Sequence, residues 1–189
     1  RAAPAARALA GTAFHLAMLL WLDGKGPLPE KRHLLYLTAV RSLLFDLPRE
    51  RGDGDSERWP IEWRPEERSR LKVVAELAYR LQCQPQKGGI AARVASGDIE
   101  RLMPSDWEAM QREGFIRWLI NMAGVLVDFG DDSISFAHLS FQEFLSAWHL
   151  CYGEFSDEHQ REQALERHAS SHHWLETLLL WAGLHESRD

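Results

Sequence analysis

The sequence predicts a mainly α-helical chain interrupted by one β-hairpin. Three observations carry this prediction. Apolar residues recur at helical spacing in several stretches, from "FHLAMLLWL" near the start to "HWLETLLLWAGL" near the end. Only "GVLVDFGDDSISFAH" has the period-two alternation of half-buried strands, and its "GDD" supplies a turn. Hydrophobic residues make up 45% of the 189 residues and there are 8 Trp, enough apolar surface to build a core and too much for a disordered chain.

Taken in order, Ala13 to Leu22 is expected to be a buried helix, ended by the turn residues Gly24, Gly26, Pro27 and Pro29. A second helix is expected from about Glu30, with Tyr36, Val40, Leu43, Leu44 and Leu47 along one face. Pro48 then opens "PRERGDGDSERWP", charged and glycine-bearing, which has the composition of a linker. After Pro65 a third helix places Leu71, Val74, Ala78 and Leu81 on one face and must stop before Pro85. "KGGIAARVASGDIERLMPS" reads as a short helix between turns.

Ser105 and Glu108 have the spacing of a capping box and predict a helix running to Met122. Gly114 stands in the middle of that helix, where it costs about 1 kcal/mol relative to Ala. The hairpin comes next, between Val125 and Ala137, then an aromatic-rich helix, then two more helices at "EQALERH" and "HWLETLLLWAGL". In the last of these Leu175, Leu178, Leu179 and Ala182 share a face. Three helices and then a two-stranded wing is the order of a winged helix. The expected organisation is therefore a helical domain at 1–48, a linker at 49–65, a winged-helix domain at 66–137 and the start of a second helical domain at 138–189.

Charge and motif content narrow the function. The net charge of −6 gives no electrostatic drive toward nucleic acid or anionic lipid. The helix before the wing sets Arg112 and Arg117 against Asp106, Glu108 and Glu113, and the wing tip carries Asp128, Asp131 and Asp132, a face that repels phosphates. A DNA-binding winged helix is therefore the alternative reading, and a purely structural helical interaction domain is another. Two cysteines, Cys83 and Cys151, fit free thiols in a reducing compartment, although two are enough to pair. The apolar run "FHLAMLLWL" is about half of the ~20 residues that a membrane span needs, so a cytoplasmic protein is expected. No G-x-x-x-x-G-K-[ST] phosphate loop and no nucleophile with a local base occurs, so no catalytic residue is assigned and the chain is not expected to be an enzyme by itself. His168 and His172 stand four apart with His173 adjacent, but no Cys or carboxylate joins them at ligand spacing. A solvated surface is expected there, and no metal.

The stretch "SFAHLSFQEFLSAW" combines several local rules. Ile134, Phe136 and His138 alternate along the strand, so the histidine takes a position an apolar residue would otherwise hold. Ser140 and Glu143 have capping-box spacing, with Leu139 and Phe144 at the positions of a hydrophobic staple. A stiff elbow is expected in which Phe136, Phe141 and Phe144 restrict the ring of His138. A histidine so placed is as a rule a hydrogen-bonded structural residue.

"FAHLSFQEFLSA" resembles the signature that closes the winged-helix domain of NACHT-type NTPases, the STAND class that includes animal NOD-like receptors and bacterial relatives. "NMAGVLVDFGDDSISF" is similar to the family's lead-in to that signature, and "FHLAMLLWLDGKGPLPEKRHLLYLTAVRSLL" resembles the helical domain after its nucleotide-binding core. "HWLETLLLWAGL" resembles the start of the helical region beyond the winged helix. The resemblance implies a regulatory arm that packs on a nucleotide-binding core in the same polypeptide. That core binds ATP or ADP with Mg, and the protein assembles as a homo-oligomer when it opens, in bacteria in defence against phage. It implies that His138 touches the ADP phosphates. The family's helical domain begins with a proline near the adenine; Thr12 and Ala13 stand in that place here.

Overall fold

A computed structural model describes residues 13–47, 65–84, 93–101, 103, 105, 107–131, 133–155 and 157–187. Its elements, in chain order, are α1 (Ala13–Asp23), α2 (Arg32–Arg41), α3 (Pro65–Gln82), β1 (Val94–Ala95), α4 (Ser96–Arg101), α5 (Ala109–Asn121), β2 (Leu126–Asp128), β3 (Ser133–Phe136), α6 (Leu139–Tyr152), α7 (Glu158–His168) and α8 (Leu175–Glu186). The described chain is mainly helical, as the periodicity predicts. The expected linker at 49–65 lies, up to its last residue, outside the described residues.

Helix α6 organises the packing. Its sequence is apolar on nearly every side, and Phe141, Phe144, Leu145, Ala147, Trp148, Leu150 and Cys151 are all buried. Helix α3 covers one side with the stripe the sequence predicts, Leu71, Val74, Ala78 and Leu81, widened by Ala75 and Leu77. Helices α2 and α8 also pack on α6. The apolar side chains of α1, α2, α3, the sheet, α6 and α8 form one continuous cluster. Between α3 and α6 a polar pair is sealed in: Gln142 donates to the Gln82 Oε1 at 2.6 Å, and Gln82 donates onward to the His173 carbonyl at 3.3 Å. Buried amides need such partners, because an unmade hydrogen bond costs about 1–3 kcal/mol.

The single expected hairpin is part of a three-stranded antiparallel sheet in the order β1-β3-β2. Leu126 faces Phe136 across β2 and β3, and Val94 faces Ile134 across β1 and β3. The short helix expected within 87–105 is α4, and the strand β1 before it is an addition to the sequence reading. Strand β1 has too few residues for alternation to reveal it. At the hairpin turn Gly130 has φ 74°, a left-handed conformation that glycine adopts without strain, and its N–H donates to the Asp128 carboxylate at 2.8 Å. Helix α5 also starts later than predicted. Glu108, not Ser105, is its N-cap, and the Glu108 N–H donates to the Gln111 side chain at 2.8 Å.

Two apolar faces differ from expectation. After Arg41 the chain makes a π-turn over Ser42–Asp46. The wider turn rotates the side chains beyond Arg41, so Leu44 and Phe45 are buried while Leu43 and Leu47 are only half-buried. In α8 half of the expected face is turned outward. Leu175 is 52% and Leu179 57% exposed, while Thr177, Leu180 and Leu184 are buried. "LETLLLWAGL" is apolar all round, so period alone does not choose a face. The close approach of α2 and α8 decides it: a Cβ on Gly183 would stand 2.5 Å from the His33 Nδ1. His33 in turn lies 2.9 Å from the Ser187 hydroxyl. Gly183→Ala is expected to displace His33 and lower stability by about 1–3 kcal/mol in a urea titration. A variant as stable as wild type would show that the two helices separate at no cost.

Candidate functional site

Strand β3 runs directly into α6 through Ala137 and His138. The Ala137 N–H donates to the Val125 carbonyl at 2.8 Å, which ties the end of β3 to the approach to β2. His138 is extended, with φ −149° and ψ 140°, and its ring turns back over the first turn of α6. The Ser140 N–H donates to the His138 Nδ1 at 3.2 Å. His138 is therefore the N-cap of α6, and the expected capping box of Ser140 and Glu143 is not formed: Ser140 already lies inside the helix, where its hydroxyl serves another partner. The cap also assigns the tautomer. With Nδ1 accepting, the neutral ring carries its proton on Nε2.

Ser140 meets two residues that local sequence patterns do not bring to the elbow. Its Oγ lies 3.2 Å from the His15 Nε2 of α1, and the Tyr36 hydroxyl of α2 lies 2.8 Å from the same nitrogen. The three side chains are buried and form a polar triangle between α1, α2 and α6. His138 closes on it edge-on, its ring centroid 5.5 Å from that of His15. Burial lowers the pKa of both imidazoles, and His15 is lowered further by His138 and Arg32. Both rings are thus neutral at pH 7. Burial likewise raises the Tyr36 phenol.

Charge lies beside the triangle. Arg32 of α2 donates to the Glu176 carboxylate of α8 at 3.1 Å, and its guanidinium sits 5.9 Å from the Tyr36 ring centroid. Glu143 of α6 shares this neighbourhood. Burial, then the Glu176 charge, push its carboxyl up to about 7, and Arg32 offsets only part of the shift. The elbow thus has a carboxyl on the edge of ionisation at neutral pH.

Of the other residues assigned from sequence, Phe136, Phe141 and Phe144 are buried in the core, and Phe144 stacks on Tyr36 at 5.7 Å. Ala13 opens α1, two residues before His15, and Thr12 lies outside the described residues. No sequence motif marks His15, Arg32, Tyr36 or Glu176 as site residues. The one signal among them is the solitary histidine of "FHLAMLLWL".

A second histidine group lies at the far end of α6. His168 is buried, stacked on Trp174 with ring centroids 3.7 Å apart, and its Nε2 is 3.9 Å from the Cys83 sulfur. This corrects the expectation of a solvated histidine surface at His168, although His172 is exposed. The i, i+4 pairing does not form, because α7 ends at His168 and His172 begins a 3₁₀ turn. Tyr79 stacks on His149 at 4.8 Å and packs edge-on against Trp174. Burial holds His149 down to about 4 and pushes Tyr79 up to about 12. Among the described residues no group of three or more His, Cys, Asp or Glu could hold a metal ion, and no helix is long and apolar enough to cross a membrane. Cys83 and Cys151 form no disulfide.

In comparisons with family models, curated proteins and solved structures, nothing matched the chain.

Proposed function

We propose that this chain is the regulatory arm of a NACHT-type STAND signalling NTPase, packing on the nucleotide-binding core of the same polypeptide. In this reading His138 senses ADP against ATP, loss of its contact opens the molecule, and open protomers assemble as a homo-oligomer in antiviral defence in the cytoplasm. ATP or ADP with Mg is bound by that core and not by this chain alone. The observation that carries the reading is the partly exposed His138, fixed by the cap on one nitrogen and backed by His15. The order α3, β1, α4, α5 and hairpin, with β1 joined to the hairpin through β3, supports a winged helix at 66–137.

A hydrogen bond to a charged phosphate contributes about 1.5–3 kcal/mol, a factor of roughly 10–150 in a closed/open equilibrium. In the full-length polypeptide, His138→Ala is expected to move the ADP-loaded protein from monomer to oligomer in size-exclusion chromatography. His138→Asn should do the same while keeping α6 capped, since an Asn oxygen also accepts from the second helical N–H. An Asn variant that stays monomeric and holds ADP as tightly as wild type overturns the sensor role and leaves His138 a structural cap. Salt-dependent retention of duplex DNA in a gel shift would favour the DNA-binding alternative instead.

A further inference from the structure

The buried stripe of α1 is apolar at every described position but one. His15, Met18, Leu19 and Leu22 stand at i, i+3, i+4 and i+7, and packing alone would place a hydrophobe at the first of them. An imidazole there buries less apolar surface and has to be hydrogen-bonded. One partner it takes is also a partner of His138. The Ser140 Oγ lies 3.2 Å from the His15 Nε2, and the Ser140 N–H donates to the His138 Nδ1 at 3.2 Å. Ser140 thus holds both histidines, one through its side chain and the other through its backbone.

The two rings also meet. His15 stands against His138 with planes inclined at 69° and centroids 5.5 Å apart. From α2 the Tyr36 hydroxyl, 2.8 Å from the same His15 nitrogen, closes the group, and the Tyr36 ring is stacked on Phe144 of α6. The contacts therefore run in a loop. They leave the first turn of α6 at Ser140, cross α1 and α2, and return to α6 one turn further on.

We infer that His15 is a positioning residue for His138. Its nitrogen anchors Ser140, and with it the amide on which the His138 ring rests, while its own ring stands where the imidazole would otherwise turn toward α1. A presented side chain keeps its direction only when the groups around it are locked in their turn. His15 is 125 residues from Ser140, so the docking of α1 sets how the distant elbow presents its histidine. Lifting α1 from the elbow releases His138 without any change at His138 itself. The orientation follows from these contacts; what His138 then meets rests on the regulatory-arm reading.

NMR of the 189-residue chain tests this with two readouts, the three-bond couplings that report the His138 χ1 angle and the hydrogen exchange rate of the Ser140 amide. In the wild type His138 is expected in one staggered rotamer. His15→Phe keeps a ring against His138 and removes the nitrogen, and the Ser140 amide is expected to exchange roughly tenfold faster, the equivalent of one ordinary hydrogen bond. His15→Gln keeps a polar group and removes the ring, and His138 is expected to average over staggered rotamers. Leu150→Val, at the far end of α6, is the control: it lowers stability by deleting one buried methylene, and neither readout should move. The inference is overturned if Ser140 in His15→Phe exchanges as in wild type, or if His15→Gln keeps His138 in one rotamer. It is also overturned if Leu150→Val moves both readouts as far as the His15 variants do, since His15 would then act through stability alone. ADP retention by His138→Asn decides the regulatory-arm reading separately: the two readouts need no nucleotide, so either idea can fail while the other stands.

Discussion

Glu143→Gln is expected to stabilise the protein at pH 8 and to change little at pH 4.5. The Glu143 carboxyl is pushed up to about 7 in the folded chain because it is buried and faces the Glu176 charge, which Arg32 offsets only in part. In the unfolded chain it returns to its ordinary value near 4.5. Between these values the folded protein holds a proton that the unfolded chain has released, so stability falls as pH rises through the window. The penalty is complete above pH 7. Gln mimics the protonated form and removes it. The full shift corresponds to about 3 kcal/mol, and partial exposure reduces the expected gain to about 1–3 kcal/mol. Urea titrations of both proteins at the two pH values measure it. Equal differences at pH 4.5 and 8 would show that Glu143 is already ionised in the folded state.

Tyr36 is the other position where one substitution has a large expected effect. Its ring is fully buried against Phe144, and its hydroxyl bonds His15 in the triangle that joins α1, α2 and α6. Tyr36→Ala removes the ring and is expected to cost about 3–5 kcal/mol, the range for large aromatic deletions in cores. Tyr36→Phe keeps the stack and removes only the hydroxyl. His15 and Ser140 remain 3.2 Å apart and can still satisfy each other, so the expected cost is about 1–2 kcal/mol. The difference between the two variants in urea unfolding separates packing from polar contact. A Tyr36→Phe protein with unchanged stability would remove the triangle from the forces that hold α1 in place.

How much of the fold is legible in the sequence depends on how local each feature is. Helix α3 is legible because Leu71, Val74, Ala78 and Leu81 repeat without interruption, and the hairpin because its alternation brackets a turn. The outward face of α8 is not, because apolar residues surround the helix and a contact between Gly183 and His33, 150 residues apart, makes the choice. The candidate site divides in the same way. His138 at the strand exit is a local fact. Its role as cap is masked by Ser140, a residue type much preferred at that position, and only the extended backbone of His138 lets the ring take the place first. The triangle and the Arg32–Glu176 pair join positions 125 and 144 residues apart, beyond the reach of any periodicity.

The use of an imidazole to begin α6 has a consequence for acid. A proton on Nδ1 turns the group that receives the Ser140 amide into one that confronts it, and it places a cation at the positive pole of the helix macrodipole. Both effects oppose protonation. The helix therefore keeps this ring uncharged, and acidification severe enough to charge it would fray the first turn of the element around which the core is built.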